Sequence, residues 1–150
     1  MNPYLRFAAM VGTSTALMYG LMYLNTYRWS DVLFSETRVY MALLMGAVMA
    51  IVMLSFMTKM YANKRGNAGI YLGSAAVFLA SLWLVRSQAT IEDVSWMKAM
   101  IPHHSIAVLT SERANLSDPR VRRLADSIIE SQLREIDEMK ALIQDLERRP

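Results

Sequence analysis

The chain contains no cysteine. This absence excludes disulfide bridges, thiolate metal sites, CxxC redox motifs and c-type haem attachment. Motifs typical of enzymes are also missing. There is no HExxH, no glycine-rich phosphate loop and no Glu-x-x-His pair of the kind that builds di-iron sites, and spacing supports no Ser-His-Asp arrangement. We therefore expect a protein that is not an enzyme.

Charged residues are scarce in the first part of the chain. Residues 1–87 hold seven Lys or Arg and two Asp or Glu, whereas residues 88–150 hold nine basic and eleven acidic residues. This contrast predicts a transmembrane region over 1–87 and an extramembrane domain over 88–150. The net charge of +3 comes from the apolar part, so it bears on membrane orientation, and we expect no nucleic-acid partner.

Three long stretches lack any charge, at roughly 7–24, 39–58 and 68–85. Each is long enough to cross a hydrocarbon core of ~30 Å as a helix, and aromatic residues cluster near their ends, as at membrane interfaces. We predict three transmembrane helices, the first retained as a signal anchor. The alternative is that the three stretches form the core of a soluble helical protein. We do not favour it, because so short a chain has few residues with which to bury three apolar helices.

Basic residues predict the orientation. The second loop contains Lys59, Lys64 and Arg65 and no acidic residue. In the first loop, the charges of Arg28 and Arg38 are offset by Asp31 and Glu36. The positive-inside rule then predicts a multi-pass protein of the bacterial cytoplasmic membrane. Its N-terminus would be cytoplasmic and its C-terminal domain periplasmic or extracellular.

The second apolar stretch carries methionine at every fourth position from Met41 to Met57, beside Ala42, Gly46 and Ala50. One interpretation is a thioether track for Cu(I). The other is helix packing, because small residues at four-residue steps allow a close approach and methionine fills the flanks. We favour packing.

The C-terminal segment predicts two helices. Thr90 and Asp93 resemble a capping box that opens a helix to about Leu116, and Asp118-Pro119 is typical of a second helix start. The second helix runs to about Glu147, and the short connection predicts an antiparallel hairpin. Because about 60 residues bury little apolar surface, we expect two hairpins to dimerise into a four-helix bundle.

Both histidines of the chain, His103 and His104, follow two methionines in the stretch WMKAMIPHHSIAV. At helical spacing Met97, Met100 and His104 share one face, and His103 adjoins Met100. The second helix offers one face formed by Gln132, Glu135 and Met139. Thioether with imidazole suits Cu(I), whereas imidazole with carboxylate suits Cu(II) or Zn. The alternative is that the methionines fill a core and His104 is a satisfied core histidine.

The motif MxxMIPHH, followed by Asp118-Pro119 and by the QxxEIxxM pattern that begins at Gln132, resembles a bacterial envelope family. This is domain-of-unknown-function family 305, which includes CopM-like copper-binding proteins, and the resemblance covers roughly residues 90–147. It implies a ferritin-like helical bundle. It also implies that copper is bound by Met97, Met100, His103, His104 and Met139, with Glu135 and Gln132 holding the imidazoles.

Two further features follow from the resemblance. Many family members have another Met or Gln just after the histidine pair, where this chain has Ser105 and Ile106. The front half looks like that of a membrane-anchored subgroup with three spans.

The sequence therefore predicts a membrane-anchored protein that sequesters or delivers copper, Cu(I) rather than Cu(II), at the outer face of the membrane. It would form a homo-oligomer and exchange the ion with a copper-transport partner protein. The alternative is a metal-free helical module that serves oligomerisation or binds a partner protein.

Overall fold

The computed structural model describes residues 2–148, which contain α-helices, two short 3-10 turns and no strand. The all-α prediction is confirmed. The helices are α1 (Pro3–Leu21), α2 (Glu36–Phe56), α3 (Lys64–Ser87), α4 (Asp93–Arg113) and α5 (Pro119–Arg148), and the 3-10 turns are Trp29–Asp31 and Thr58–Met60.

The chain divides into two compact units. The N-terminal unit comprises the chain up to Met22 together with Thr37–Thr90. The hairpin unit comprises Tyr23–Glu36, which we call the strap, together with the chain from Ile91 onward. The sequence placed the strap in the region 1–87. It lies in the other unit because its residues, including Asp31 and Leu33, pack on the C-terminal helices.

Two helices, α2 and α3, are long and apolar enough to cross a membrane, judged by length and composition. Helix α1 is not among them. It begins at Pro3 and ends at Leu21, so it takes in Arg6 and the polar run Thr13–Thr15 and leaves out the apolar residues 22–24. Of the three spans that the sequence predicts, two therefore correspond to helices of sufficient length and hydropathy.

Small residues of α2 lie where the sequence predicts a close helix contact. Ala42, Gly46 and Ala50 are buried, and a Cβ atom added to Gly46 would collide with the side chain of Thr15 in α1. Met53 and Met57 pack against a buried cluster formed by Phe7, Ala50, Leu54 and Tyr61. These contacts support the packing interpretation for that end of the methionine series.

Helix α5 begins as its local sequence predicts. Asp118 accepts the backbone N–H of Arg120 on its Oδ1 atom at 2.8 Å, and Pro119 is the first helical residue. The prediction of a capping box at Thr90 is wrong, because α4 begins at Asp93 and its N-cap residue Glu92 makes no side-chain capping bond. The Thr90 hydroxyl instead lies 2.8 Å from the hydroxyl of Tyr40.

Helices α4 and α5 pack as the predicted antiparallel hairpin. Lys98 near the start of α4 pairs with Glu147 near the end of α5 at 2.6 Å, and Arg122 near the start of α5 donates to the carbonyl of Ser111 at 3.0 Å. Helix α4 continues through Pro102. The core between the helices consists of Met97, Ile101, Ile136, Met139 and Ile143.

Candidate metal site in the helical hairpin

His104 of α4 faces Glu135 of α5. The Nδ1 atom of His104 lies 3.1 Å from Oε2 of Glu135, and the His104 side chain is 12% exposed. The direction of this nitrogen is poorly aligned with the oxygen, so among residues 2–148 the buried Nδ1 has no hydrogen-bond partner of good geometry. Gln132 lies one turn earlier and donates to the same Oε2 atom at 3.5 Å. The structure therefore brings His104, Glu135 and Gln132 into one polar row.

The environment of His104 favours its neutral form. Burial lowers the pKa of the imidazole, the carboxylate of Glu135 opposes this effect, and neighbouring His103 adds to it. A neutral imidazole carries the lone pair that binds a metal ion, and protons compete with the metal for that lone pair. His104 is thus held in the protonation state that a ligand requires.

His103 is exposed, unlike its neighbour. The centroids of the two rings lie 6.0 Å apart, with an interplanar angle of 59°. An ion bound to imidazole lies ~2.0–2.1 Å beyond the nitrogen, so this spacing is compatible with an ion shared by both rings. His103 is also free to bind an ion from the solvent side.

The predicted thioether ligands lie in or beside the hairpin core. Met97 and Met139 are 5% and 6% exposed, and Met100 is partly buried against the same cluster. In this arrangement Met97 and Met139 fill the core between the helices. To bind an ion beside His104, their flexible side chains would have to adopt other rotamers, which methionine does more readily than branched residues.

Within residues 2–148, no group of three or more His, Asp or Glu side chains is arranged to hold a metal ion. Sites for Mg²⁺ and Ca²⁺ need several oxygen ligands, and structural zinc sites need four nitrogen, sulfur or oxygen ligands from the protein. The other candidate donors that the sequence proposes beside the two imidazoles are the thioethers of Met97, Met100 and Met139. That mixture of donors fits Cu(I).

The sequence did not identify three residues near the site, Asp31, Ser105 and Lys140, as functional candidates. Asp31 of the strap is 1% exposed, accepts the hydroxyl of Ser105 at 2.8 Å and forms an ion pair with Lys140. Ser105 is 0% exposed and accepts the backbone N–H of Tyr27 at 3.0 Å. The only sequence signal was Ser105 itself, a small polar residue where the resembled family has a larger one, and it gave no hint of Asp31.

Residues 84–150 match the family model of a domain of unknown function, DUF305. The match covers all of α4 and α5 and supports the family resemblance over this part of the chain. The strap lies outside the matched residues. Among curated proteins, the chain is similar to an uncharacterized protein, L153, of Acanthamoeba polyphaga mimivirus, with 38% identity over 69 residues. The aligned segment is 45% of this chain and 45% of that relative. No solved structure matches the chain.

Proposed function

We propose that this protein binds copper, as Cu(I), at the His103–His104 pair of a membrane-anchored hairpin, and sequesters the ion or delivers it to a partner protein. One observation carries the proposal: His104 is nearly buried, and its Nδ1 atom lies 3.1 Å from the carboxylate of Glu135. A metal-ligating histidine commonly turns one ring nitrogen to a carboxylate and binds the ion with the other. Met97 and Met139 belong to the core of the same hairpin, and Met100 packs against that core.

In this proposal His104 and His103 supply imidazole nitrogens, and one or more methionines supply sulfur. Glu135 orients His104 from outside the ion, because a ligating histidine commonly uses its second ring nitrogen to contact a carboxylate. Gln132 holds Glu135 in turn. The ion is the cargo of the protein, so the proposal includes no catalytic step.

The surfaces of α2 and α3 support the membrane anchor. Only 28% of the apolar stretch of α2 and 6% of that of α3 are buried, whereas a core helix of a soluble protein is mostly buried. We propose that both helices cross the bacterial cytoplasmic membrane and that α1 adds a third span. The lysines and arginine after α2 favour a cytoplasmic second loop, which places the hairpin unit outside.

We further propose that the hairpin units pair into a ferritin-like four-helix bundle. Trp96, Leu124 and Leu142 are 50%, 60% and 46% exposed on the hairpin. Large apolar side chains at these positions would be covered if a second hairpin packed there. The ion sites would then number two per dimer or one on the two-fold axis.

The burial of Met97 and Met139 favours the second candidate function, a metal-free module for oligomerisation or partner binding. In that case the thioethers only fill the core, and His104 is a packing residue beside Glu135. The two functions differ in whether the histidines bind copper.

Copper titration separates them. The full-length protein in mild detergent is titrated with Cu(I) against a chelator of known affinity, beside the His103→Ala, His104→Ala variant. Loss of a residue that only orients a metal ligand costs about 10–100-fold in metal affinity, so we expect the loss of both imidazoles to weaken binding on the order of 100-fold or more.

Asn115→Ala provides the matched control, because Asn115 is exposed in the turn between α4 and α5. Equal affinity in the wild type and the histidine variant, or no binding by the wild type, would support the metal-free module instead. Circular dichroism confirms that each variant keeps its helices.

A further inference from the structure

The strap lies along α4 in the antiparallel direction. The backbone N–H of Tyr27, near the start of the strap, donates to the hydroxyl of Ser105 in the middle of α4 at 3.0 Å. At the other end of the strap, Glu36 accepts the hydroxyl of Ser95 at 2.6 Å. Between these contacts Leu33 packs against the core of the hairpin. The strap is therefore a third packed element of the hairpin unit, contributed from the chain between α1 and α2.

Asp31 makes polar contacts from the strap to both helices. Its Oδ2 atom accepts the hydroxyl of Ser105 in α4, and its Oδ1 atom contacts the Nζ atom of Lys140 in α5. A carboxylate that is 1% exposed is tolerated only when paired and hydrogen-bonded, because an isolated buried charge is strongly unfavourable. Removal of any one partner would therefore disturb the other two.

Both partners of Asp31 adjoin candidate ligands in sequence. Ser105 follows His104, and Lys140 follows Met139. Successive residues on a helix point about 100° apart, so on α4 the side chain of Ser105 points to the strap while that of His104 points to Glu135. An anchor on the Ser105 flank opposes rotation of α4 about its axis, and so fixes the direction of the His104 side chain.

We propose that Asp31 is a positioning residue for the metal site, which sets the approach of His104 to Glu135 by holding Ser105 and Lys140. The proposal rests on the copper-binding function proposed above. It also gives a role to Ser105, which stands where many members of the resembled family have Met or Gln. A larger Met or Gln at this fully buried position would displace Asp31.

The test uses the full-length protein in mild detergent. In the Asp31→Leu, Lys140→Leu variant both charges are removed together, which avoids leaving one buried charge without its partner. Asp31→Asn keeps an oxygen acceptor for Ser105 but loses the charge that holds Lys140. Lys98→Gln, Glu147→Gln is the matched control, because that pair also joins α4 to α5 but lies more exposed and without the strap.

Two readouts are compared, the Cu(I) dissociation constant and the electron paramagnetic resonance spectrum of the Cu(II)-loaded protein. The leucine variant is expected to keep its helix content and to show an altered spectrum. It is expected to bind Cu(I) about 10–100-fold more weakly, as when a residue that orients a metal ligand is lost. The Cu(I) affinity of Asp31→Asn is expected to lie between that of the leucine variant and that of the wild type. The control is expected to match the wild type in both readouts.

A folded leucine variant with wild-type affinity and spectrum would overturn the proposal. If the leucine variant does not fold, Asp31→Asn is judged by the same criteria. If the wild type binds no copper, the copper function fails. The positioning role of Asp31 is then tested by the NMR shifts of the His104 ring in the metal-free protein. A change with Asp31→Asn but not with the control would support the positioning role, and no change would overturn it.

Discussion

The imidazole of His104 takes up a proton less readily in the folded chain than in the unfolded chain. Burial lowers its pKa below the ordinary value of 6.5, although Glu135 opposes the shift. The unfolded state therefore binds more protons once the pH falls to about 6.5, and stability depends on the difference in bound protons. The stability associated with neutral His104 is complete above pH 6.5 and declines as the pH falls from 6.5 to the lower folded pKa.

We expect His104→Gln to remove this part of the pH dependence. Urea unfolding of the metal-free protein, followed by circular dichroism between pH 7.5 and pH 5, measures the effect. His103→Gln is the control, because His103 is exposed. Parallel pH profiles for wild type and His104→Gln would contradict the assigned role of burial.

At the residue scale, helical spacing predicts which residues share a face of one helix, such as Gln132, Glu135 and Met139. The role of Glu135 beside the imidazoles came from the family resemblance, and the structure places its Oε2 atom 3.1 Å from Nδ1 of His104. Asp31 was not predictable in the same way. Its partner Lys140 lies 109 positions away, and no periodicity links a loop residue to a distant helix.

At the scale of the elements, the contact between α1 and α2 depends on the lack of a side chain at Gly46. We expect Gly46→Val to destabilise the N-terminal unit by about 1–3 kcal/mol, the usual cost of overpacking, because the new side chain collides with Thr15. Gly73→Val is the matched control, since a Cβ atom at Gly73 has nothing within 4 Å. Both changes carry the same helix-propensity effect.

Loss of helical signal on titration with sodium dodecyl sulfate measures the difference between the two valine variants. Gly46→Val is expected to unfold at a lower detergent fraction than Gly73→Val. Equal sensitivity would show that the close approach at Thr15 contributes little.

Helix ends show which parts of the fold local sequence can predict. The start of α5 was predictable, because Asp118 and Pro119 supply both the cap and the first turn from adjacent residues. The start of α4 was not, because the hydroxyl of Thr90 pairs with Tyr40, 50 positions earlier. A capping residue with a distant partner is unavailable to its own helix.

At the scale of the whole molecule, the strap gives the hairpin a third packed element within a single chain. Leu33 is half-buried against the core formed by Met97, Ile101 and their neighbours. Because complete burial of a leucine makes its loss cost about 2–5 kcal/mol, we expect Leu33→Ala to cost less, about 1–2 kcal/mol. Leu24→Ala is the control, since Leu24 is 68% exposed.

Hydrogen exchange of the α4 and α5 amides is the appropriate measurement, because a chain with two units need not unfold in one step. Faster exchange in Leu33→Ala, but not in Leu24→Ala, is expected. The sequence indicated that the hairpin buries too little surface to stand alone, and predicted a second hairpin to cover it. The strap was not foreseen, because its loop position and mixed charges resemble an ordinary connection between two spans.

In the proposed function, copper binds through both imidazole and thioether at the His103–His104 pair. X-ray absorption at the copper edge of the Cu(I)-loaded full-length protein measures both kinds of ligand. Scattering from both nitrogen and sulfur is expected, with the nitrogen contribution reduced in His104→Ala. A copper environment of nitrogen and oxygen alone, or one that His104→Ala leaves unchanged, would contradict it.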